Sequence, residues 1–505
     1  MSIHMHMAPN PQQLRKLQGV LSKINDAIDQ GSAAQAIVKL TELNSKLPGQ
    51  PNVLMLLGKA NAKMGRHAEA IEGYAQAVKI SPKDADLRFR YAYALQRGGR
   101  YEDSLLEYER SLYYRPDHPL ALRHKSSVLR DLNRMDEALK AWETLCASVE
   151  GVQIDKTSHL GIAISGAGLA PKYRDANSAL DDLKNYIYDE SCDPELRIAG
   201  CWQAGRLYDH LKEYDNAFDA YKLCKEIKKE SWSPDEHTKQ IDQLIKCWTD
   251  GADIPFSNID GSRLIFIVGM MRSGTSLTEQ MVAQTQGVTP GGEMNAISRQ
   301  FTSIDRRSSP NSRPYPVTRR LYTKPALQRM AKSAMQMYNQ IAQTGFVTDK
   351  QPYNCFFVPL IAHMFPGCKI IHCVRDPMDC MLSNYTQAFS RPHPQTHDLY
   401  DLGRYYRDYE RMMAAWKTLP EVDMIDLQYE KMVADPKSES QRVMEFLGIE
   451  WTEDILEFHK SSRTVTTASR DQVRQPVYTS SVQKYKRYES HLDELKRGLG
   501  IENEA

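Results

Sequence analysis

A fixed spacing of 34 residues in the first half of the chain constrains its fold more than any other feature. Pro48, Pro82 and Pro116 stand 34 residues apart. Three further columns keep the same register: Gly31, Gly65, Gly99 and Asn133; Ala36, Ala70, Ser104 and Ala138; Leu40, Tyr74, Tyr108 and Trp142. Four independent columns in one register mark an internal repeat.

The glycine or asparagine column suits a turn between two helices, the small column allows close helix approach, and the aromatic column fills the space beside it. Proline then leads into the next unit. Within a unit, Leu57, Ala60 and Met64 follow helical spacing on the first helix and Ala70, Tyr74 and Ala77 on the second, which predicts antiparallel helix pairs. The columns resemble the tetratricopeptide repeat over roughly residues 17 to 150. A further unit fits around Gly205, Tyr208, Ala217 and Tyr221, and residues 155 to 197 read as helical but degenerate, giving about five or six repeats. The resemblance implies a superhelix whose concave face holds extended peptides, against the alternative that the array only scaffolds or dimerises the other half. Gly251, Pro255, Asn258 and Gly261 then interrupt the helical period. The expected organisation is a helical repeat domain over 1–250, a linker over 251–262 and a second domain over 263–505.

Composition narrows the function classes. The chain has 505 residues, 41% of them hydrophobic and 26% charged, enough to bury ordinary cores. Its 65 Lys and Arg nearly cancel its 64 Asp and Glu, so no nucleic-acid or membrane partner is expected from global charge. Met1 to Leu21 has no apolar core of signal-peptide length and no run of eighteen apolar residues follows, from which a cytoplasmic location is expected. Most of the nine cysteines, which form no CxxC pair, are expected to be reduced and buried. The 14 histidines form no HExxH pattern, so no metal is expected.

Arg263 to Val268 (RLIFIV) has the apolar, β-branched character of a buried parallel strand. Gly269-Met270-Met271-Arg272-Ser273-Gly274-Thr275-Ser276 follows at once, and an amphipathic helix carrying Leu277, Met281 and Val282 comes next. A strand, glycine loop and helix in this order aim several backbone N–H groups and the positive end of a helix at one point, where a phosphate or sulfate group can sit. The glycine spacing matches a Walker A loop, but Thr275 occupies the lysine position. A nucleoside triphosphate normally needs that lysine together with magnesium. A donor with a shorter 5′ chain fits better, with Arg272 and Ser273 supplying charge and a donor.

These residues resemble the 5′ loop of the sulfotransferases that use 3′-phosphoadenosine 5′-phosphosulfate (PAPS), and specifically the tyrosylprotein sulfotransferase-like branch. Met271 stands where that family usually has proline, a change expected to loosen the loop. Three later segments extend the resemblance over residues 263 to 490. The first is the strand Cys368 to Val374 ending in Arg375-Asp376-Pro377, with Ser383 on the following helix. The second is Tyr429-Glu430, Asp435-Pro436, Phe446-Leu447-Gly448-Ile449 and Trp451. The third is Ser469 to Val477 followed by Lys484. The implied fold is an all-α tetratricopeptide superhelix followed by an α/β, P-loop-like domain on a central parallel sheet.

The resemblance also implies roles. Arg272, Ser273, Gly274, Thr275 and Ser276 hold the 5′ side of the donor; Arg375 and Ser383 clamp its 3′-phosphate, with Gln387 a weak neighbour; and Tyr429 and Lys484 complete the donor site, with PAP as the product left behind. Glu293, in Gly291-Gly292-Glu293, aligns with the family's general base; capping the next helix or pairing with Arg299 is its structural alternative. His363 and His372 are rival bases, although His372 lies inside an apolar strand and reads more simply as core. Lys350, in Thr348-Asp349-Lys350-Gln351-Pro352, resembles the lysine placed near the bridging oxygen between phosphate and sulfate. Ser469 is a second donor there, and Arg272 assists.

For the acceptor, Asn295 replaces an arginine of the tyrosine-sulfating branch while Arg299 keeps a second basic position, which weakens peptidyl tyrosine against a glycan or a small alcohol or phenol. The partners expected are that acceptor, a peptide or protein among the candidates, and a protein on the concave face of the repeats. The basic stretch from Arg306 to Lys324 reads equally as a lid or a solvated connection. The competing functions are an ATP-dependent P-loop kinase, against which the missing lysine speaks, and a catalytically inactive repeat adaptor, against which Glu293, Lys350 and Arg272 together speak.

Overall fold

The computed structural model describes residues 11–228, 230–251, 253–304, 321–389, 393–460 and 481–501. The chain divides into two compact units, Met1–Leu211 and Lys212–Ala505. The first is helical: α1 (Pro11–Asp29), α2 (Ala33–Lys46), α3 (Pro51–Lys63), α4 (His67–Ile80), α5 (Ala85–Arg97), α6 (Tyr101–Tyr114), α7 (Pro119–Asp131), α8 (Met135–Val149), α9 (Lys156–Ala167), α10 (Ala176–Ile187) and α11 (Pro194–Leu211).

Each repeat column has a visible physical task. Gly31, Gly65, Gly99 and Asn133 all adopt positive φ, between +61° and +91°, in the turn joining the two helices of a pair. Only glycine, and less easily asparagine, takes this left-handed conformation without strain. Ala36, Ala70, Ser104 and Ala138 are at most 3% exposed, and the Ser104 hydroxyl is satisfied by donating to the Ala92 carbonyl at 2.7 Å. Leu40, Tyr74 and Tyr108 are buried, and Tyr108 Oη finds Gln96 Oε1 at 2.8 Å. Burying one such side chain contributes about 1.5–3 kcal/mol. Residues 155 to 197, degenerate in the sequence period, form α9, α10 and the start of α11.

The second unit opens with α12 (Tyr214–Lys228) and α13 (Pro234–Thr249), continues through β1 (Leu264–Gly269), α14 (Thr275–Val282), β2 (Val288–Pro290), α15 (Ala296–Ile304), α16 (Lys324–Ile341), β3 (Phe346–Asp349), α17 (Val358–Met364), β4 (Lys369–Val374) and α18 (Pro377–Tyr385), and ends with α19 (Leu399–Trp416), β5 (Met424–Gln428), α20 (Tyr429–Ala434), α21 (Pro436–Leu447) and α22 (Asp493–Leu499). The compact unit begins at Lys212, ahead of residue 263 where the hydrophobic period changes. The reason is that α12 and α13 bury their apolar faces on this unit. His237 and Thr238 of α13 meet Asp408 of α19 at 3.0 and 2.8 Å, and Phe218 of α12 stacks on Tyr385 of α18. A repeat-like period specifies an amphipathic helix, not the surface that covers it.

The five strands form one sheet in the order β2-β3-β1-β4-β5, every pair parallel. In the register, Phe266 of β1 faces Asp349 of β3 and Ile370 of β4. Every residue of β1 is buried, as a central strand covered on both faces requires. One core cluster joins Ile265, Ile267 and Ile371 of the sheet to Met281 and Val282 of α14 and Val443 of α21. Parallel strands point their carboxyl ends the same way, so the residues that follow β1 to β5 gather at one edge, the ligand-binding edge of an open α/β sheet.

Candidate active site

The loop after β1 is shaped by residues that accept unusual backbone angles. Gly274 has φ +106°, and a Cβ there would lie 2.8 Å from the Tyr429 ring. A Cβ on Gly269 would lie 2.6 Å from the Cys373 carbonyl oxygen. Arg272, not a glycine, also sits at φ +69°. Strain of this kind persists only where the surroundings over-determine it. Here Asn384 Nδ2 and Cys380 Sγ both donate to the Met271 carbonyl, at 2.7 and 3.3 Å. The backbone of Met271 is therefore pinned, and the looser loop expected from the missing proline is not what these bonds describe. α14 starts directly behind, with Gly274, which has no side chain to cap it, at its N-cap. Ser273 Oγ is buried and finds no hydrogen-bond partner among the described residues.

Across the β1/β4 boundary, Arg375 follows β4. One guanidinium nitrogen donates to the Arg272 carbonyl at 3.0 Å and another to the Ser481 carbonyl at 2.8 Å. The guanidinium stacks over the Tyr429 ring, 4.7 Å from its centroid, and its buried Nε has no hydrogen-bond partner among the described residues. Tyr429 Oη and Ser481 Oγ share a 2.7 Å hydrogen bond, and Arg272 Nε donates to Ser383 Oγ at 3.0 Å. Asp379, whose carboxyl burial pushes above its usual range, accepts from the backbone N–H groups of Gln483 and Tyr485 at 2.6 and 2.9 Å. This brings the backbone at Lys484 to the start of α18. Arg272, Arg375, Ser383, Tyr429 and Ser481 thus share one connected network, and Ser273 and Gly274 directly follow Arg272 in the chain.

A second cluster follows β2 and β3. Lys350, fully buried at the end of β3, places its Nζ 2.9 Å from Glu293 Oε1. The Glu293 side chain is 47% exposed, so its carboxylate has a buried cation behind it and open space in front. Lys350 N donates to the Gly292 carbonyl at 2.9 Å, and Gly291 N to that of Thr348 at 3.0 Å, which sews the turn bearing Glu293 to β3. Asp349 beside them is pushed up to about 7 by burial and accepts from Tyr338 Oη at 2.7 Å. Asn295 and Arg299 are exposed at the start of α15. Ser469 and most of the basic stretch at 306–324 lie outside the described residues. Among the described residues, no group of three or more His, Cys, Asp or Glu could hold a metal ion, and no helix is long and apolar enough to cross a membrane.

With this geometry in place, comparison with known proteins is informative. Residues 264–453 match the sulfotransferase family, and residues 21–85, 62–127 and 198–231 match tetratricopeptide repeats. The chain carries a sulfotransferase-family domain and tetratricopeptide repeats. It is 30% identical over 394 residues to an uncharacterized protein of Aquifex aeolicus (strain VF5), a match taking in 75% of this chain and 50% of that protein. Protein-tyrosine sulfotransferase 2 of Gallus gallus is 25% identical over 236 residues, or 44% of this chain and 62% of that one. The chain thus spans half to three-fifths of the length of these two relatives. Among solved structures, the sulfotransferase domain from the Synechococcus PCC 7002 olefin synthase gives a TM-score of 0.33 at 17% identity, over 47% of this chain and 89% of that domain.

Within the sulfotransferase domain the rival histidines are satisfied core residues. His372 lies between Asp426 (2.8 Å) and Tyr409 Oη (2.6 Å), and burial lowers its pKa. His363 lies between the Pro255 carbonyl and Glu421, each at 3.2 Å. Other motif residues prove structural: Glu430 accepts from Asp376 N, Asp435 caps α21 and Trp451 donates to Ser440. All nine cysteines are free thiols, eight of them buried. Sequence reasoning missed Glu279, Asp379 and Ser481. Glu279 had one available signal, as the sole charged residue of α14.

Proposed function

We propose that this unit moves a sulfuryl group from PAPS to an acceptor hydroxyl. The observation that carries the reading is a pair of buried, unpartnered donors, Ser273 Oγ and Arg375 Nε, around a glycine-framed loop at a helix start that lacks the Walker lysine. Such donors are costly to leave unmet, and anionic phosphate oxygens are partners that fit them. Gly269 and Gly274 keep the cradle clear of side chains. Arg272, Ser273, Gly274, Thr275 and Ser276 would hold the 5′ side, and Arg375, Ser383, Tyr429 and Lys484 the 3′ side.

When bound, PAPS supplies a sulfuryl group whose bond to the 5′-phosphate oxygen breaks, the electron pair leaving with that oxygen, as a bond to the acceptor oxygen forms. Glu293 takes the acceptor proton; its half-open carboxylate faces solvent on one side and is oriented by Lys350 on the other. The Lys350 ammonium, fully buried and therefore weakly screened, offsets the negative charge that grows on the phosphate side. Arg272 assists, Ser469 is the proposed second donor, and the N–H groups of 273–276 favour in-line approach. Asn295 and Arg299 are the proposed acceptor contacts. The repeats would recruit the acceptor or a protein partner, and the acceptor class is peptidyl tyrosine, a glycan, or a small alcohol or phenol.

Calorimetric titration of the purified chain with PAP, and separately with ATP and magnesium, tests the reading. Binding of PAP with a Kd of about micromolar, near −8 kcal/mol, and negligible ATP binding is the expected result. A preference for ATP would replace it with phosphoryl transfer, and binding of neither would favour an inactive adaptor.

A further inference from the structure

Glu279 occupies a position that none of the roles above uses. It is buried at 5% exposure, and its Oε1 accepts from Gly292 N at 2.9 Å and from Thr348 Oγ1 at 2.7 Å. Gly292 directly precedes Glu293, and Thr348 lies two residues before Lys350. One carboxylate on the phosphate-loop helix therefore holds both segments that carry the second cluster. Burial raises the pKa of Glu279, while the Lys350 ammonium opposes that rise. Glu293 and Asp349 are the other charged groups facing Glu279, and the turn at 453–460 packs on α14 through apolar Ile455 and Phe458.

We propose that Glu279 is a positioning residue for transfer: its carboxylate ties the turn bearing Glu293, through Gly292, and the segment bearing Lys350, through Thr348, to the helix that starts at the phosphate loop. The inference rests on Glu293 being the base. The helix whose first turn faces the donor then also fixes the group that faces the acceptor, and a small misplacement between those two ends is enough to lose much of the rate.

Two variants of the full chain separate the parts of this proposal. Glu279→Gln keeps an oxygen for both hydrogen-bond donors and removes the charge, whereas Glu279→Ala removes both. Amide hydrogen exchange at Gly292 is expected to rise about tenfold or more in Glu279→Ala and to stay within about twofold of the parent in Glu279→Gln. With PAPS and 2-naphthol as the acceptor probe, Glu279→Ala is expected to lower kcat about tenfold with KM for PAPS unchanged, and Glu279→Gln to stay within about twofold of the parent. Unchanged exchange at Gly292 or an unchanged kcat in Glu279→Ala overturns the positioning role, as does a Glu279→Gln variant that loses as much rate as Glu279→Ala while keeping the parent's exchange at Gly292. A parent chain that fails to bind PAP overturns the sulfotransferase reading instead, so the two failures are told apart.

Discussion

In the repeat unit the columns that set the fold are small or apolar and find their partners close by in sequence, whereas in the sulfotransferase unit the site is made of buried polar groups joined across long stretches of chain. Tyr108 bonds Gln96, 12 residues away, and even the buried pair Arg88 and Glu107, 2.6 Å apart, spans only 19 residues. Arg375 instead bonds the carbonyl of Arg272, 103 residues back, and Lys350 pairs with Glu293 across 57. The first arrangement gives stability that is close to a sum of local units. The second gives a preorganised site with orphaned donors, which lowers stability locally and raises affinity for whatever meets those donors. Substitutions should therefore act on stability in one unit and on binding and turnover in the other.

The largest effect is expected from Glu293→Ala, which removes the proposed base from the open face of the second cluster. Turnover should fall by about 10²–10⁴, with PAP affinity in calorimetry nearly intact. Full turnover in this variant would show that another group takes the proton. Tyr108→Ala attacks the other side of the comparison. Tyr108 is fully buried among α5 to α8, and its loss should cost about 3–5 kcal/mol, seen as lost exchange protection across those helices while PAP affinity holds. A parallel loss of PAP affinity would mean that the units do not act separately.

This contrast also explains what was legible in the sequence. The repeat unit could be read because a period exposes each column several times, and the structure gives every member of the turn column the same left-handed backbone. The glycine loop, β4 and Arg375 could be read because a run of apolar residues followed by glycine or charge marks the carboxyl end of a buried strand. Glu279 and Ser481 could not, since their meaning depends on partners brought in by the fold, Gly292 and Thr348 for one and Arg375 and Tyr429 for the other. The docking surface of α12 and α13 was hidden for a related reason: the helical period records that one face is apolar and is silent about what covers it.

Smaller effects sharpen the comparison further. Arg375→Ala removes bonds to two carbonyls and the stack on Tyr429, and should weaken PAP binding by about 10- to 100-fold, near 1.4–2.7 kcal/mol, with little change in thermal stability of the repeat unit. Gly99→Ala should do the least. Gly99 has φ +77° and open space where a Cβ would go, so the cost is conformational alone, about 1 kcal/mol, visible as a small loss of exchange protection in α5 and α6. Gly269→Ala makes the instructive partner, because its Cβ would press on the Cys373 carbonyl from 2.6 Å and on Ser273 Oγ from 2.7 Å. If the units differ as argued, the alanine at 99 is read in stability and leaves PAP binding alone, while the alanine at 269 is read first in PAP binding; equal effects on both measurements from the two variants would remove the distinction.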